Sequence, residues 1–353
     1  MKFWKLGIIA LCLTCLTACG KAQEPVLELE QSITKELPQT QQEEALQEEM
    51  PAAEFTFLVG SQPFDGGCLE IGGKHFAEKE SLEKIPELNG KSSITLYRGG
   101  KEYVELGELC RTSDCEVLMD EERGVYILPR EQHWQIPEGY EVPVLMYHGV
   151  SDDLWGMTEL FVKPSVMEAQ IQYLLDNGYT PIWFEDLPNV DKIEKPVILT
   201  YDDGYMDNYL ELFPILQKYN VKATIFVVTG TIDYNPRSLT TEQIREMSDS
   251  GLVSIQSHTV SHGYLNAQTP EEQKYELTKS KVDLAAITGK DPCVICYPSG
   301  RFNDTTLELA KQYYAMGINM DGLLYVTGED PYMVDRFYIR RQDSVGTIAS
   351  YIQ

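Results

Sequence analysis

Short apolar runs alternate with amphipathic stretches over most of the chain after residue 141. Repeated strand, helix, strand order of this kind predicts parallel strands with helices packed outside them. Seven strand candidates favour a barrel over an open sheet. The apolar runs read VPVLMYH, YTPIWF, PVILTY, KATIFVV, LVSIQS, CVICYP and YAMGIN. The helical stretches between several of them end near Gly or Asn and read PSVMEAQIQYLLDNG, NYLELFPILQKYN, TTEQIREMSDSG, PEEQKYELTKSKVDLAAITG and NDTTLELAKQYY.

Residues 54–135 have a different pattern, in which short apolar runs alternate with Gly turns. This pattern predicts a small strand-rich domain with one helix, placed before a larger domain at 142–353. The stretch GGKEYVELGELCRTSDCEVLMDEERGVYIL resembles the small β-rich domain near the N-terminus of copper amine oxidases and of surface stalk proteins. It contains no cluster of metal-ligand residues, so we expect a spacer or wall-contact role.

The first twenty residues, MKFWKLGIIALCLTCLTACG, have the charged start and short apolar run of an export signal. The ending Leu16-Thr17-Ala18-Cys19 resembles a bacterial lipoprotein cleavage box, which would leave a lipid on Cys19; an uncleaved signal anchor is the alternative. Residues 20–53 are rich in Glu and Gln and predict a flexible acidic tether that reaches about 30 Å. We therefore expect a lipid-anchored protein on the outer side of the cell membrane.

The chain has 353 residues, 43% of them hydrophobic, and a formal net charge of −26. The hydrophobic content is that of a folded globular protein. The negative charge argues against a nucleic-acid groove and favours a neutral or cationic glycan over a phosphate polymer. We expect a monomer that binds a polysaccharide and no nucleic acid.

Eight cysteines are present, three of them in the first twenty residues, which leaves five for the folded part. Five is an odd number, so at least one thiol stays free. Cys293 and Cys296 have redox or zinc spacing, but strand residues three apart point to opposite faces, which favours two buried thiols. Cys110 and Cys115 form a more plausible disulfide.

Polar residues follow the apolar runs at the point where each predicted strand ends. PVILTY is followed by Asp202 and Asp203, LVSIQS by HTVSH, VLMY by His148 and CVICY by PSGRFND. In a barrel of parallel strands the reactive groups lie just past the carboxyl ends of the strands. We therefore expect these residues to meet at one rim.

His258 and His262 are four residues apart, which on a helical turn places both imidazoles on one face. Two imidazoles and one carboxylate make a three-ligand metal site with positions open for water and substrate. Asp203 would be neutralised by the cation, and Asp202 would stay beside it as a base. A surface turn or a helix cap is the structural alternative for the two aspartates.

The motifs TYDDG, SHTVSH and YPSG together resemble the polysaccharide deacetylase superfamily, carbohydrate esterase family 4, over about residues 142–345. The resemblance implies a distorted (β/α)7-type barrel that hydrolyses N-acetyl groups on N-acetylglucosamine. It makes Asp202 the base and Asp203, His258 and His262 the ligands of a divalent metal, with zinc expected and cobalt, nickel or manganese as alternatives. The backbone N–H of Ser299 would bind the oxyanion.

Two departures from the family pattern concern the base and the acid. Many members carry Arg-Pro-Pro-Tyr-Gly where this chain has Cys-Tyr-Pro-Ser-Gly at 296–300, so the arginine that steers the base is absent from that motif. No histidine follows His262, where the family's usual acid would lie. His148 resembles the early Tyr-His of the poly-N-acetylglucosamine deacetylase branch and is the candidate acid, with a packed histidine as the alternative.

Three arginines of the last segment, Arg336, Arg340 and Arg341, are candidates to orient Asp202. A non-catalytic glycan-binding lipoprotein on the same fold is the main alternative function. A non-haem iron oxygenase with two histidines and a carboxylate is a third, but it leaves Asp202 without a role. Peptidoglycan, poly-N-acetylglucosamine, chitin oligomers and acetylated xylan all stay open as substrates.

Overall fold

The computed structural model describes residues 53, 55–89, 94–130 and 134–352. The predicted signal peptide, the lipid site at Cys19 and nearly all of the predicted tether lie outside the described residues. Within the described part, no helix combines the length and the apolar character needed to cross a lipid bilayer.

The larger part of the fold is an eight-stranded sheet in which every pairing is parallel. All seven predicted strands belong to it, together with a short eighth strand that the sequence analysis missed. The strands are β10 (Val144–Tyr147), β13 (Thr180–Ile182), β14 (Pro196–Tyr201), β15 (Ala223–Val227), β16 (Val253–Ser257), β17 (Val294–Cys296), β18 (Met316–Ile318) and β20 (Phe337–Tyr338).

The strand order β18-β17-β16-β15-β14-β10-β20, with β13 paired to β14, curves the sheet into a barrel that is incompletely closed. Among the described residues, no strand pairing joins β18 to β20. Every residue of β14 is buried, as expected for a parallel strand covered on both faces. Two short strand pairs flank the barrel: β11 (Gly149–Val150) pairs with β12 (Phe161–Val162), and β9 (Glu141–Val142) pairs with β19 (Tyr325–Val326).

Helices cover the outside of the sheet, as the amphipathic stretches predicted. The helix Pro270–Thr288 shows why a helix begins and ends where it does: Thr269 and Glu272 form a capping box at its start, and Gly289 ends it in the left-handed conformation. The helices of the described chain are α1 (Lys79–Leu82), α2 (Leu106–Thr112), α3 (Pro164–Asp176), α4 (Phe213–Tyr219), α5 (Thr241–Asp249), α6 (Pro270–Thr288), α7 (Asp304–Tyr313) and α8 (Val345–Tyr351).

The N-terminal part contains two four-stranded sheets. The prediction of one helix was wrong, because both α1 and α2 are present, α1 as a single turn too short to show a period. The strands are β1 (Thr56–Val59), β2 (Gln62–Pro63), β3 (Cys68–Ile71), β4 (Lys74–Glu78), β5 (Thr95–Arg98), β6 (Lys101–Glu105), β7 (Leu118–Asp120) and β8 (Val125–Leu128). Their order is β2-β1-β8-β7 in one sheet and β3-β4-β6-β5 in the other.

This N-terminal part packs against α6 and α7 of the barrel. Apolar side chains of β7 and β8, among them Ile127, share one buried cluster with side chains of α6 such as Leu277. At the edge of the cluster Arg123 pairs with Asp283 at 2.6 Å. The contact is therefore apolar at its centre and charged at its rim.

All five cysteines of the described residues are free thiols. The predicted Cys110–Cys115 disulfide is not formed; Cys110 is buried in the core of the N-terminal part, and Cys115 bonds to the hydroxyl of Ser113. Cys293 and Cys296 are buried, as the strand geometry predicted.

Candidate active site

The carboxyl ends of neighbouring strands bring the predicted site residues to one rim of the barrel. The backbone N–H of Asp202, directly after β14, donates to the carbonyl of Tyr147 at 3.0 Å. The N–H of His258, directly after β16, donates to the carbonyl of Val227 at 3.0 Å. The sheet register therefore continues into the first residue of each functional loop and fixes its position.

Asp203, His258 and His262 converge on one point. Oδ1 of Asp203 lies 3.6 Å from Nε2 of His258 and 3.4 Å from Nε2 of His262. One ligand atom from each residue lies within 4.8 Å of the other two, so a single ion can contact all three. His258 is buried while the other two are half-buried, so the open side of the group faces the pocket.

The loops that carry these side chains contain unusual backbone conformations. Among the described residues, seven that are not glycine have positive φ, and four of them are at this rim: Asp203 (72°), Thr259 (68°), His262 (58°) and Ser299 (54°). A left-handed conformation costs an L-residue about 1–2 kcal/mol, and such strain concentrates at functional sites. These four strained residues are therefore found where the loops turn side chains towards the pocket.

The ring of His258 is oriented by a hydrogen bond on its far side. Nδ1 lies 2.8 Å from the carbonyl oxygen of Cys296, so Nδ1 carries the proton and Nε2 is free to bind an ion. Burial lowers the pKa of His258 to about 4. The imidazole is therefore neutral near pH 7, which is the form that ligates metals.

Asp202 forms a buried, two-pronged ion pair with Arg336. Nη1 and Nη2 of Arg336 donate to the two oxygens of the carboxylate at 2.7 and 2.8 Å. Burial alone would raise the pKa of Asp202, but the guanidinium beside it holds that pKa well below its usual range. Asp202 is thus a permanent carboxylate that lies next to the metal-ligand group and is not a member of it.

Asp202, His258 and Cys296 form a second group close enough to hold an ion. Both oxygens of Asp202 are already bonded to Arg336, and Nη2 of Arg336 also lies 3.1 Å from the Cys296 sulfur. Burial raises the pKa of the Cys296 thiol well above its ordinary value, and metals bind the thiolate. The group with Asp203 is therefore the better metal site.

A cavity of about 480 Å³ opens over these residues, a volume in the usual range for ligand sites. His148 and Ser299 line it together with the ligand group and Asp202. His148 lies close enough to Asp202 to help lower its pKa, and its ring packs edge-on against Tyr338 with centroids 5.8 Å apart. The structure thus brings all six residues named from the sequence to one pocket.

Comparison with known sequences identifies the family to which this chain belongs. The sequence model described as Polysaccharide deacetylase matches residues 189–317. YxkH of Bacillus subtilis, whose name places it among the polysaccharide deacetylases, is 36% identical over 219 residues, which make up 60% of this chain and 76% of YxkH. This chain belongs to the polysaccharide deacetylase family.

Two further relatives are a solved structure and a curated enzyme. The crystal structure of the polysaccharide deacetylase BC0361 of Bacillus cereus superposes with a TM-score of 0.58 at 36% identity and covers 61% of this chain and 70% of BC0361. The poly-β-1,6-N-acetyl-D-glucosamine N-deacetylase of Escherichia coli is 27% identical over 195 residues, which make up 48% of this chain and 28% of that enzyme. The predicted α/β barrel fold is confirmed.

Of the three arginines that the sequence offered for Asp202, only Arg336 reaches the deacetylase site. Arg340 stacks on Tyr338, and Arg341 donates to the carbonyls of Ser151 and Phe161. Arg336 extends inside the barrel, where its Nε donates to the carbonyl of Asn319 at 3.0 Å. Only one sign of this role is present in the sequence, namely that Arg336 is a charged residue directly before the short strand β20.

The donor set of the deacetylase site fits a divalent metal such as zinc. One carboxylate oxygen and two imidazole nitrogens, one of them neutral and oriented by a carbonyl, form the kind of three-ligand set that catalytic zinc sites use. Asp203, His258 and His262 would hold the ion.

Replacing the most exposed ligand should weaken metal binding without unfolding the protein. We expect His262→Ala to lower the zinc affinity at least about 100-fold, because loss of an indirect partner alone costs 10–100-fold. Zinc occupancy measured against a competing chelator checks this. Tyr264→Ala, an exposed change two residues away, serves as the control and should leave the affinity unchanged. Equal affinities for all three proteins would contradict the ligand assignment.

Proposed function

We propose that this deacetylase hydrolyses the N-acetyl groups of N-acetylglucosamine residues in a cell-wall or extracellular polysaccharide, with a divalent metal at Asp203, His258 and His262. One observation carries the proposal: Asp202 is ionised, fixed by Arg336 and left out of the ligand group. A metal-binding site without catalysis has no need of a second, unliganded carboxylate.

The residues divide the reaction among them. When bound, the metal would supply Lewis acidity that polarises the acetyl carbonyl and lowers the pKa of the attacking water. Asp202 accepts a proton from that water, and because Arg336 holds both of its oxygens the acceptor keeps one orientation. The N–H of Ser299 donates to the oxyanion, as oxyanion donors do in acyl transfer. His148 gives a proton to the departing amine.

Poly-N-acetylglucosamine is the first substrate to test. The support is the Escherichia coli relative, whose name states poly-β-1,6-N-acetyl-D-glucosamine as its substrate, although this chain spans only 28% of that enzyme. The cavity of about 480 Å³ has the size of a small-ligand site, which fits one sugar of a polymer. The predicted lipid on Cys19 and the acidic tether would hold the enzyme at the membrane surface, within reach of such a polymer.

A panel of polymers tests the proposed function. We expect the purified protein with zinc to release acetate from poly-N-acetylglucosamine faster than from peptidoglycan, chitin oligomers or acetylated xylan. Removal of the metal by a chelator should stop the release, and added zinc should restore it. Acetate measured by a coupled assay gives the rates; no release from any of the four polymers with zinc, cobalt, nickel or manganese would contradict the proposal.

The same panel tests the alternative of a non-catalytic glycan-binding protein. That alternative rested on two departures from the family pattern: the arginine missing from the motif at 296–300 and the histidine missing after His262. Arg336 donates to both oxygens of Asp202, so the base has an arginine partner although the motif at 296–300 lacks one. Glycan binding without acetate release would favour the alternative. The iron oxygenase remains the weakest, since this ion pair leaves Asp202 with no part in oxygen chemistry.

A further inference from the structure

Asp207 and Asn208 belong to the stretch TYDDGYMDN that supplies Asp202 and Asp203, yet neither reaches the metal-ligand group. Both are buried, Asp207 with 8% of its surface exposed and Asn208 with none. They stand at the start of a π-helical turn, Asn208–Leu212, that leads into α4. Such turns are rare and are frequently found at functional sites.

The two side chains bond to the chain on either side of Gly149. The amide Nδ2 of Asn208 donates to the carbonyl of His148 at 2.9 Å, and Oδ1 of Asp207 accepts from the N–H of Val150 at 2.9 Å. The two side chains also bond to each other at 3.2 Å. Together they clamp the backbone of residues 148–150.

Asp207 makes these contacts instead of capping its own helix. Aspartate is among the best residues for an N-cap, but Asp207 makes no capping bond there. Its other oxygen, Oδ2, is buried and has no hydrogen-bond partner among the described residues. Burial raises its pKa to about 6, although the bond from Val150 opposes that rise. A buried, half-satisfied carboxyl lowers stability, so a packing role alone does not explain it.

The His148 ring depends on this clamp for its position. Its Nδ1 is buried and has no partner among the described residues, so no hydrogen bond at that atom fixes the ring. The backbone next to it is closely packed: a Cβ at Gly149 would lie 2.3 Å from the ring of Phe161 and 3.2 Å from Oδ2 of Asp207. The contact with Tyr338 and the clamped main chain therefore set where the ring lies.

We propose that Asp207 and Asn208 are positioning residues that hold His148 at the distance from Asp202 at which it can protonate the leaving amine. The proposal rests on the proposed function. The segment 202–208 would then carry the base at one end and the clamp for the acid at the other. In the step concerned, the C–N bond breaks, its electron pair goes to nitrogen, and the proton comes from His148. A misplacement of about 1 Å in such a step can cost about 100-fold in rate.

Two substrates separate this role from general support of the fold. An acetamide needs a proton on its leaving nitrogen, whereas para-nitrophenyl acetate releases a stable phenolate without one. For the zinc-loaded protein we expect Asn208→Ala and Asp207→Ala to lower kcat on N-acetylglucosamine oligomers about 10–100-fold with little change in KM. Hydrolysis of the ester should stay within about threefold of wild type. Asp207→Asn, which keeps an oxygen to accept from Val150, should retain most of the amide activity.

The clamp must also act through His148. In a His148→Ala background, Asn208→Ala should cause no further loss on the amide, because residues that act through one group are not additive. Thr269→Ala removes an ordinary helix cap at the surface and should change neither substrate's rate. An equal loss on amide and ester, a further loss in the His148→Ala background, or no loss at all would overturn the proposal. If wild type releases acetate from the ester but from no glycan, the proposed function fails instead.

Discussion

Asp202→Asn should reduce acetate release about 100- to 10,000-fold while the protein keeps its metal. The size of the loss is that of a missing general base. The asparagine keeps the shape of the side chain and one oxygen for Arg336, but it cannot take a proton from water. Asp203, His258 and His262 are unchanged, so the metal content should match wild type. The measurements are kcat on poly-N-acetylglucosamine and zinc per protein on the same sample.

A surface aspartate provides the matched control for this substitution. Asp304 is exposed in the first turn of α7 and does not line the pocket, so Asp304→Asn removes the same charge outside the site. Its kcat should equal that of wild type. A rate for Asp202→Asn within a few-fold of wild type would remove Asp202 from the role of base. Loss of zinc together with activity would instead make Asp202 a ligand.

Arg336→Met should lower the free energy of unfolding by about 3–5 kcal/mol. The pair with Asp202 is almost fully buried, with 2% and 4% of the two side chains exposed, and removing one partner leaves an uncompensated charge in the interior. Three further bonds, to Thr200, to Cys296 and to the carbonyl of Asn319, are lost as well. Urea unfolding at neutral pH measures the difference. A loss below about 1 kcal/mol would contradict this account of the pair.

The exposed arginine Arg123 supplies the comparison. Its side chain is 55% exposed in its pair with Asp283, so Arg123→Met should cost no more than about 1 kcal/mol. The two variants should also differ in pH dependence. Arg336 lowers the pKa of Asp202 in the folded protein. The stabilisation by this pair is therefore complete at a pH above the pKa of Asp202 in the unfolded chain, about 4, and is lost as the pH falls through the pKa of Asp202 in the folded protein. The difference in the free energy of unfolding between wild type and Arg336→Met should therefore become smaller at acidic pH.

The sequence predicted the barrel well because its strands are local features. Each predicted strand is a short apolar run with a turn or a helix on both sides, so hydrophobic periodicity was sufficient. The eighth strand, Phe337–Tyr338, has only two residues and gives no period. It forms because β10 offers it an edge, and that edge exists only after the barrel has assembled.

Some residues of the site could also be predicted from the sequence, and others could not. Asp202, Asp203, His258 and His262 each follow a strand, so the rule for strand ends could place them together. Arg336 could be named as one of three candidates but not chosen, because its reach through the barrel interior depends on packing. Asp207 and Asn208 could not be predicted as part of the site, because an aspartate directly before a helix is ordinarily a helix cap.

Crystals of the protein soaked in zinc and measured at the zinc absorption edge test the central claim most directly. The account predicts one strong anomalous peak about 2.0–2.2 Å from a carboxylate oxygen of Asp203 and from Nε2 of both His258 and His262, with Asp202 unliganded and still paired with Arg336. A peak ligated by Asp202 and Cys296, or a crystal with no ordered zinc at the rim, would contradict it.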